Sequence, residues 1–395
     1  MSGRPALRPS PSSWRALLYS ARLRGIVYQI AVVAGVLALG GYLVHNTLAN
    51  LAARGVATGL GFLGREAGFD IGEGLVPYSA ADTYLMALLV GLLNTLKVAV
   101  LGIVLASVLG LVMGIARLSS NWLVARLATL YVEGVRNVPL LLQLFVWYGL
   151  VTALPVPRQA VEVGLGVFLS NRGLKLPVPL WDPSYGVAAG ALVLALAASA
   201  LLRRWAVARL HRTGRPFPWV LGTLALVVGL PALALVTTGA PLRWSVPELH
   251  GFNFQGGIDL SPEFAALLAG LTVYTGSFIT EIVRSGILAV PHGQTEAALS
   301  LGLSRLRTLR LVVLPQALRV IVPPLTSQYL NLLKNSSLAV AIGYPDLVSV
   351  ANTTINQTGQ AVEGVALTMA VFLVISLALS LLMNWYNSKV ALVSR

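Results

Sequence analysis

Polar and ionisable residues set inside long apolar runs are where this sequence could do chemistry. A charge within hydrocarbon is costly, so such residues face a cavity, a partner charge or water. Lys97, in Asn94-Thr95-Leu96-Lys97, can snorkel toward an interface or meet a ligand. Glu133 and Arg136 stand at i and i+3, as do Glu281 and Arg284. That spacing puts each pair on one helix face and suits structural ion pairs. Asn137 follows Arg136, and Gly134 and Pro139 loosen the chain around them, which can expose backbone groups to a cavity. The strongest candidate for contact with a ligand is Lys334-Asn335-Ser336-Ser337, four polar residues in a row amid apolar sequence. Gly343 and Pro345 then permit a broken helix before Asp346, and broken helices at mid-membrane line sites. Arg136, Asn137, Lys334, Asn335, Ser336 and Asp346 thus form a candidate pathway set.

Other chemistries find no support. There is no Cys, so no disulfide and no thiolate metal site. His45, His211, His250 and His292 are scattered without ligand spacing, so no metal is expected. Lys97, Lys175, Lys334 and Lys389 all lack the G-x-x-x-x-G-K-[ST] context of a phosphate-binding loop. A net charge of +14 raises nucleic acid as a partner. The basic residues cluster instead in alternate short segments between apolar runs, which is the positive-inside pattern of a membrane protein.

The elements that position these residues are membrane spans. The chain has 395 residues, is 56% hydrophobic and only 11% charged, against the usual quarter charged. Its apolar runs are continuous over about twenty residues rather than alternating, which reads as an all-α membrane protein. About eight spans are expected: 26–44, 85–116, 127–154, 185–202, 219–236, 263–289, one within 320–342 interrupted near Lys334, and 365–385. A basic tail precedes the first span, which is read as an anchor rather than a signal peptide because no clear cleavage site follows it. Arg203, Arg204, Arg209, Arg212 and Arg215 mark one inside loop, and Arg305, Arg307, Arg310 and Arg319 another. Acids collect in 45–84 and 239–262, which should face out; 155–183 is read as an outside loop, and 344–363 as facing out. Both termini then lie inside.

The segment 291–324, PHGQTEAALSLGLSRLRTLRLVVLPQALRVIVPP, stands apart as polar and basic between apolar helices. Pro291 and Gly293 should end one helix, Thr295 should cap the next, and Glu296 suits its positive end. Ala297 and Ala298 allow close approach, Leu299, Leu301 and Leu303 supply apolar knobs, and Gly302 should close the short helix before Ser304 opens another. This segment resembles the EAA loop of ABC-importer permeases, the cytoplasmic segment that docks on a partner ATPase. The flanks Glu281-Ile282-Val283-Arg284-Ser285-Gly286-Ile287 and Leu333-Lys334-Asn335-Ser336-Ser337-Leu338, with GFDIGEGLVPYSAADTY after the first span, resemble the larger permeases of general L-amino acid importers.

The resemblance implies a type I importer permease core of five helices plus three additional ones. It divides the chain into 1–84 (tail, anchor and periplasmic segment), 85–155 (first part of the core), 156–262 (an insertion with two extra spans) and 263–395 (second part of the core). It implies a non-enzymatic permease of the bacterial inner membrane, with ATP and Mg on two ATP-binding subunits that dock at Thr295–Leu303. It also implies a second permease, related or identical, and a periplasmic amino-acid-binding protein. An amino acid needs cation or amide donors for its carboxylate and an acceptor for its ammonium, which Lys334 or Arg136 with Asn335, Ser336 and Asp346 would offer. The family pattern Lys-Asp-Thr-Ser-Leu is here Lys334-Asn335-Ser336-Ser337-Leu338, one carboxylate fewer. The alternative class is a secondary transporter or channel working alone, which would have no use for an EAA loop.

Overall fold

A computed structural model describes residues 21–53, 58–180, 182–215, 217–239 and 244–390. The expected basic tail with Arg4, Arg8 and Arg15 lies outside the described residues. Among those residues, seven helices are long and apolar enough to cross a membrane, or up to eight if one bent pair counts as a span. The chain contacts divide into two units, Met1–Leu92 with Leu347–Ile375, and Leu93–Asp346 with Ser376–Arg395.

The first unit holds α1 (Ala21–Ala53), a 3-10 turn at Leu60–Gly64, and the start of α2 (Tyr84–Arg117). Helix α1 runs past the expected end at 44, since no proline interrupts 45–53. Phe62 meets Tyr84 edge to face at 6.1 Å, and both pack with Leu88, Leu347 and Val350. The residues 344–363, expected to face out, include a helix at Leu347–Thr358 that the span pattern does not show. Its apolar positions Leu347, Val350 and Ala351 recur at helical spacing and are buried, and Tyr84 Oη donates to Gln357 Oε1 at 2.9 Å. Twelve residues fall below the length of a span, so a search for spans passes over them.

The second unit carries every candidate pathway residue. Helix α3 (Trp122–Arg136) is capped by Asn121, whose Oδ1 accepts from the Leu123 and Val124 amides. Helix α4 (Leu140–Thr152) follows at an angle of 107°, so the expected span 127–154 is broken in two. Pro139 causes the break: it has no N–H to continue the helix and disfavours helical geometry at Val138. Beyond α4 the expected outside loop is β structure, a departure from a wholly α fold. Strands β1 (Val161–Gly164), β2 (Val167–Ser170), β3 (Gly173–Leu176) and β4 (Ile258–Leu260) form an antiparallel sheet in that order. Strands this short carry too few alternating positions to stand out beside long apolar runs. Lys175 of β3 is buried and pairs with Asp259 of β4, its register partner.

Between β3 and β4 the chain forms the helices α5 (Pro183–Thr213) and α6 (Trp219–Thr237), which pack on each other. Helix α7 (Pro262–Leu288) is the hub of this unit, packing against α3, α4 and the later helix at Leu314–Asn335. Its contacts are close because one side is glycine. A Cβ on Gly110 would lie 2.5 Å from Ile279, one on Gly114 2.8 Å from Val283, and one on Gly286 2.3 Å from Ile321. Without a hydrophobic driving force between helices in lipid, such small-residue contacts are what draws them together.

Candidate functional site: a docking helix and a polar stretch

The helix α8 (His292–Ser300) begins one turn earlier than expected. Pro291 occupies its N-cap and Thr295 lies within it, so Thr295 does not cap the helix and Gly293 does not end the preceding one. Proline before a helix start is favourable because the first amides have no intrahelical acceptor, and its φ suits the entry. Glu296 is exposed and meets His292 Nδ1 one turn back at 2.9 Å. Gly302 takes φ +79°, and the Leu303 and Gly302 amides donate to the Ala298 and Leu299 carbonyls. That pair of bonds is a Schellman ending, which a glycine completes without strain. Ala298 is the buried residue of this helix, while Ala297 and Leu299 are exposed, Leu303 is half-buried, and Leu301 is 83% exposed.

Ser304 sits at the start of α9 (Arg305–Thr308) without a side-chain capping bond. A π turn at Leu309–Val313 then leads into α10 (Leu314–Asn335). Pro315 accounts for the wide turn: it cannot donate to the carbonyl one turn back, and its ring must clear that carbonyl. Helix α8 packs against this π turn, so α8 and the start of α10 are mechanically joined.

At its other end α10 tightens into a 3-10 segment, Ser336–Ile342, closed by Gly343 at φ +83°. The interruption expected near Lys334 is at this junction. Ser336 is buried, and its hydroxyl donates to the Leu333 carbonyl at 2.7 Å. Ser337 donates likewise to Lys334. These hydroxyls satisfy carbonyls freed where the helix changes pitch, so Ser336 does not line an open pathway. Asp346 is also fully buried, in the turn after Tyr344, and is shut off from any ligand here. Asn94 donates to the neighbouring Pro345 carbonyl at 3.0 Å. Lys334 is exposed and Asn335 half-buried. The six residues therefore do not share one surface.

The two expected ion pairs differ. Glu133 and Arg136 are exposed and do not pair. The Arg136 guanidinium lies 4.7 Å from the Phe278 ring centroid, a cation–π contact that competes with an exposed ion pair of small value. Asn137 donates to the Glu133 carbonyl at 2.7 Å and finishes α3. Arg284 donates to Glu281 through Nε at 3.2 Å and Nη2 at 2.6 Å. Arg117, at the end of α2, binds the other oxygen of Glu281. Sequence spacing could not show this third member, which lies on another helix. Lys97 places its Nζ 4.1 Å from the Phe264 ring centroid.

Residues 102–392 match the family model described as "Binding-protein-dependent transport system inner membrane component". The chain belongs to this family. Over 384 residues it is 50% identical to the general L-amino acid transport system permease protein AapQ of Rhizobium johnstonii, covering 97% of this chain and 96% of that one. It is 53% identical over 376 residues to the putative amino-acid ABC transporter permease protein YhdX of Escherichia coli, covering 94% and 95%. A third relative, 42% identical over 413 residues and covering 96% of each chain, is the glutamate/glutamine/aspartate/asparagine transport system permease protein BztB of Rhodobacter capsulatus. At 94–97% of this chain, the matched stretches take in the α5–α6 hairpin and the β strands as well as the helices on either side.

Proposed function

We propose that this chain is the permease subunit of an ATP-driven importer that carries amino acids across the bacterial inner membrane into the cytoplasm. The observation that carries this reading is α8: a short helix closed by Gly302, presenting Leu301 and Leu299 to solvent ahead of a basic segment. Exposed leucines on a short helix suit a groove on another protein. That protein is one of two ATP-binding subunits, which hold ATP and Mg. The two other partners are a second permease and a periplasmic amino-acid-binding protein. Both termini lie in the cytoplasm.

In this reading the π turn passes ATPase closure from α8 into α10, whose far end bears Lys334. The exposed cations Lys334 and Arg136, with the side-chain amide of Asn335, receive the substrate carboxylate from a cavity completed by the second permease. Asp346 reaches the substrate ammonium only if the turn at Gly343–Leu347 opens. The test is co-purification of the ATPase with the tagged chain, alongside uptake of labelled amino acids into vesicles. Gly302→Asp should insert normally but lose the ATPase or uncouple its hydrolysis from uptake. An aspartate at φ +79° is strained by up to about 1–2 kcal/mol and puts a carboxylate beside the leucine knobs. Wild-type co-purification and uptake by Gly302→Asp would remove α8 as the docking element.

A further inference from the structure

The basic end of the α5–α6 hairpin carries charge that nothing in the hairpin neutralises. Between Pro183 and Pro247 the sequence contains no Asp or Glu. Arg203, Arg204, Arg209, Arg212 and Arg215 are all exposed, and none belongs to an ion pair among the described residues. Two of them are braced by rings. The Arg203 guanidinium lies 5.5 Å from the Trp219 centroid, and that of Arg209 lies 5.3 Å from Trp205 and 5.9 Å from Phe217. Trp205 and Phe217 meet edge to face at 5.2 Å, which ties the end of α5 to the start of α6.

The depth of these groups follows from helix length. At about 1.5 Å per residue, the apolar stretch 183–202 spans about the thickness of the hydrocarbon core. Arg203 and Arg204 then stand where hydrocarbon ends, level with Trp219, the kind of residue that marks that boundary. Arg209, about 8 Å further along the helix, lies at the outer edge of the headgroups, and Arg212 and Arg215 lie beyond it. On one face of α5, Ala200, Arg203, Arg204, Val207, Ala208 and His211 line a cleft of about 520 Å³. These positions recur at three and four residues, so small apolar side chains and guanidinium groups alternate along a single groove. Guanidinium forks match phosphate oxygens two at a time.

We propose that this groove binds the phosphate headgroup of an anionic phospholipid, between Arg203 and Arg204 and beside His211, with the acyl chains running along the apolar face of α5. Its placement in the cytoplasmic leaflet rests on the transport reading above. The binding itself does not, so its failure leaves that reading intact. The partner is a lipid because the groove begins at Ala200, inside the hydrocarbon boundary, where a soluble phosphate compound would have to leave water.

The test is native mass spectrometry of the full chain in detergent, with added phosphatidylglycerol or phosphatidylcholine. Wild type should retain phosphatidylglycerol about tenfold better, from a contribution by each arginine near the headgroups. Equal retention of the two lipids overturns the proposal. Arg203→Gln with Arg204→Gln should abolish that preference, and the paired lysine variant should restore most of it. A double Gln variant that keeps the preference also overturns it. Displacement of the lipid by millimolar inorganic phosphate would show a site for a soluble anion and would overturn the lipid assignment. Labelling of Thr213→Cys in the Cys-free chain verifies that the hairpin is inserted. If the double variant fails to insert, the wild-type comparison of the two lipids still decides.

Discussion

Helices α7 and α6 are both apolar enough to cross a membrane, yet their surroundings are opposite. More than half of the residues in the most apolar stretch of α7 are buried, while none of α6 is. Each carries glycine, but to different effect. Gly286 of α7 and Gly110 and Gly114 of α2 admit the large side chains Ile321, Ile279 and Val283. Of the two glycines of α6, Gly222 admits Leu202 of its own hairpin partner α5, and Gly229 faces open space. Hydropathy alone therefore separates a span from a loop, but not a helix that organises its neighbours from one that lipid or a partner surrounds. The difference also separates where substitution should be felt. The α2–α7–α10 contacts hold the frame on which α8 and Lys334 depend, whereas α5–α6 is tied mainly to itself.

The sharpest way to break this comparison is a matched pair of leucines. Gly110→Leu must displace Ile279, and overpacking of this kind costs about 1–3 kcal/mol or more. The folded yield on size-exclusion chromatography should collapse. Gly229→Leu should leave yield and melting temperature near wild type, and an equal loss in both would erase the distinction. A smaller but functional effect is expected at the exposed end of α10. Lys334→Ala should lower uptake about tenfold, the loss of roughly one charge-assisted hydrogen bond to a carboxylate, while the complex still assembles. Wild-type uptake by an intact complex would take Lys334 out of the pathway. Glu281→Gln comes next, since one carboxylate serves both Arg117 and Arg284. Because the group is partly exposed, the melting temperature should fall by an amount matching about 1 kcal/mol. No shift would mean that the cluster adds nothing to the frame. The smallest effect is expected at Glu133→Gln, where no ion pair is present to lose, and thermal stability should be unchanged.

Much of the architecture was legible because the bilayer restricts the options. Continuous apolar runs of span length leave little besides helices. The end of the short helix α8 was legible from its glycine, since a glycine after a leucine-rich turn suits the positive φ that closes a helix. Its start was misplaced because Thr295 and Pro291 both suit helix beginnings, and only the path of the preceding helix chooses between them. The 107° break at Pro139 followed from a visible proline, but its angle did not. What tertiary structure decided was which side chains meet. Arg136 turned to Phe278 rather than Glu133, and Arg117 joined Glu281 from a helix far away in sequence. Ser336 and Asp346 were enclosed while Lys334 stayed exposed. Sequence spacing reports the face a residue shares with its own helix. It does not report which other helix, ring or carbonyl lies opposite that face, and those neighbours set the energy of a charge in a membrane.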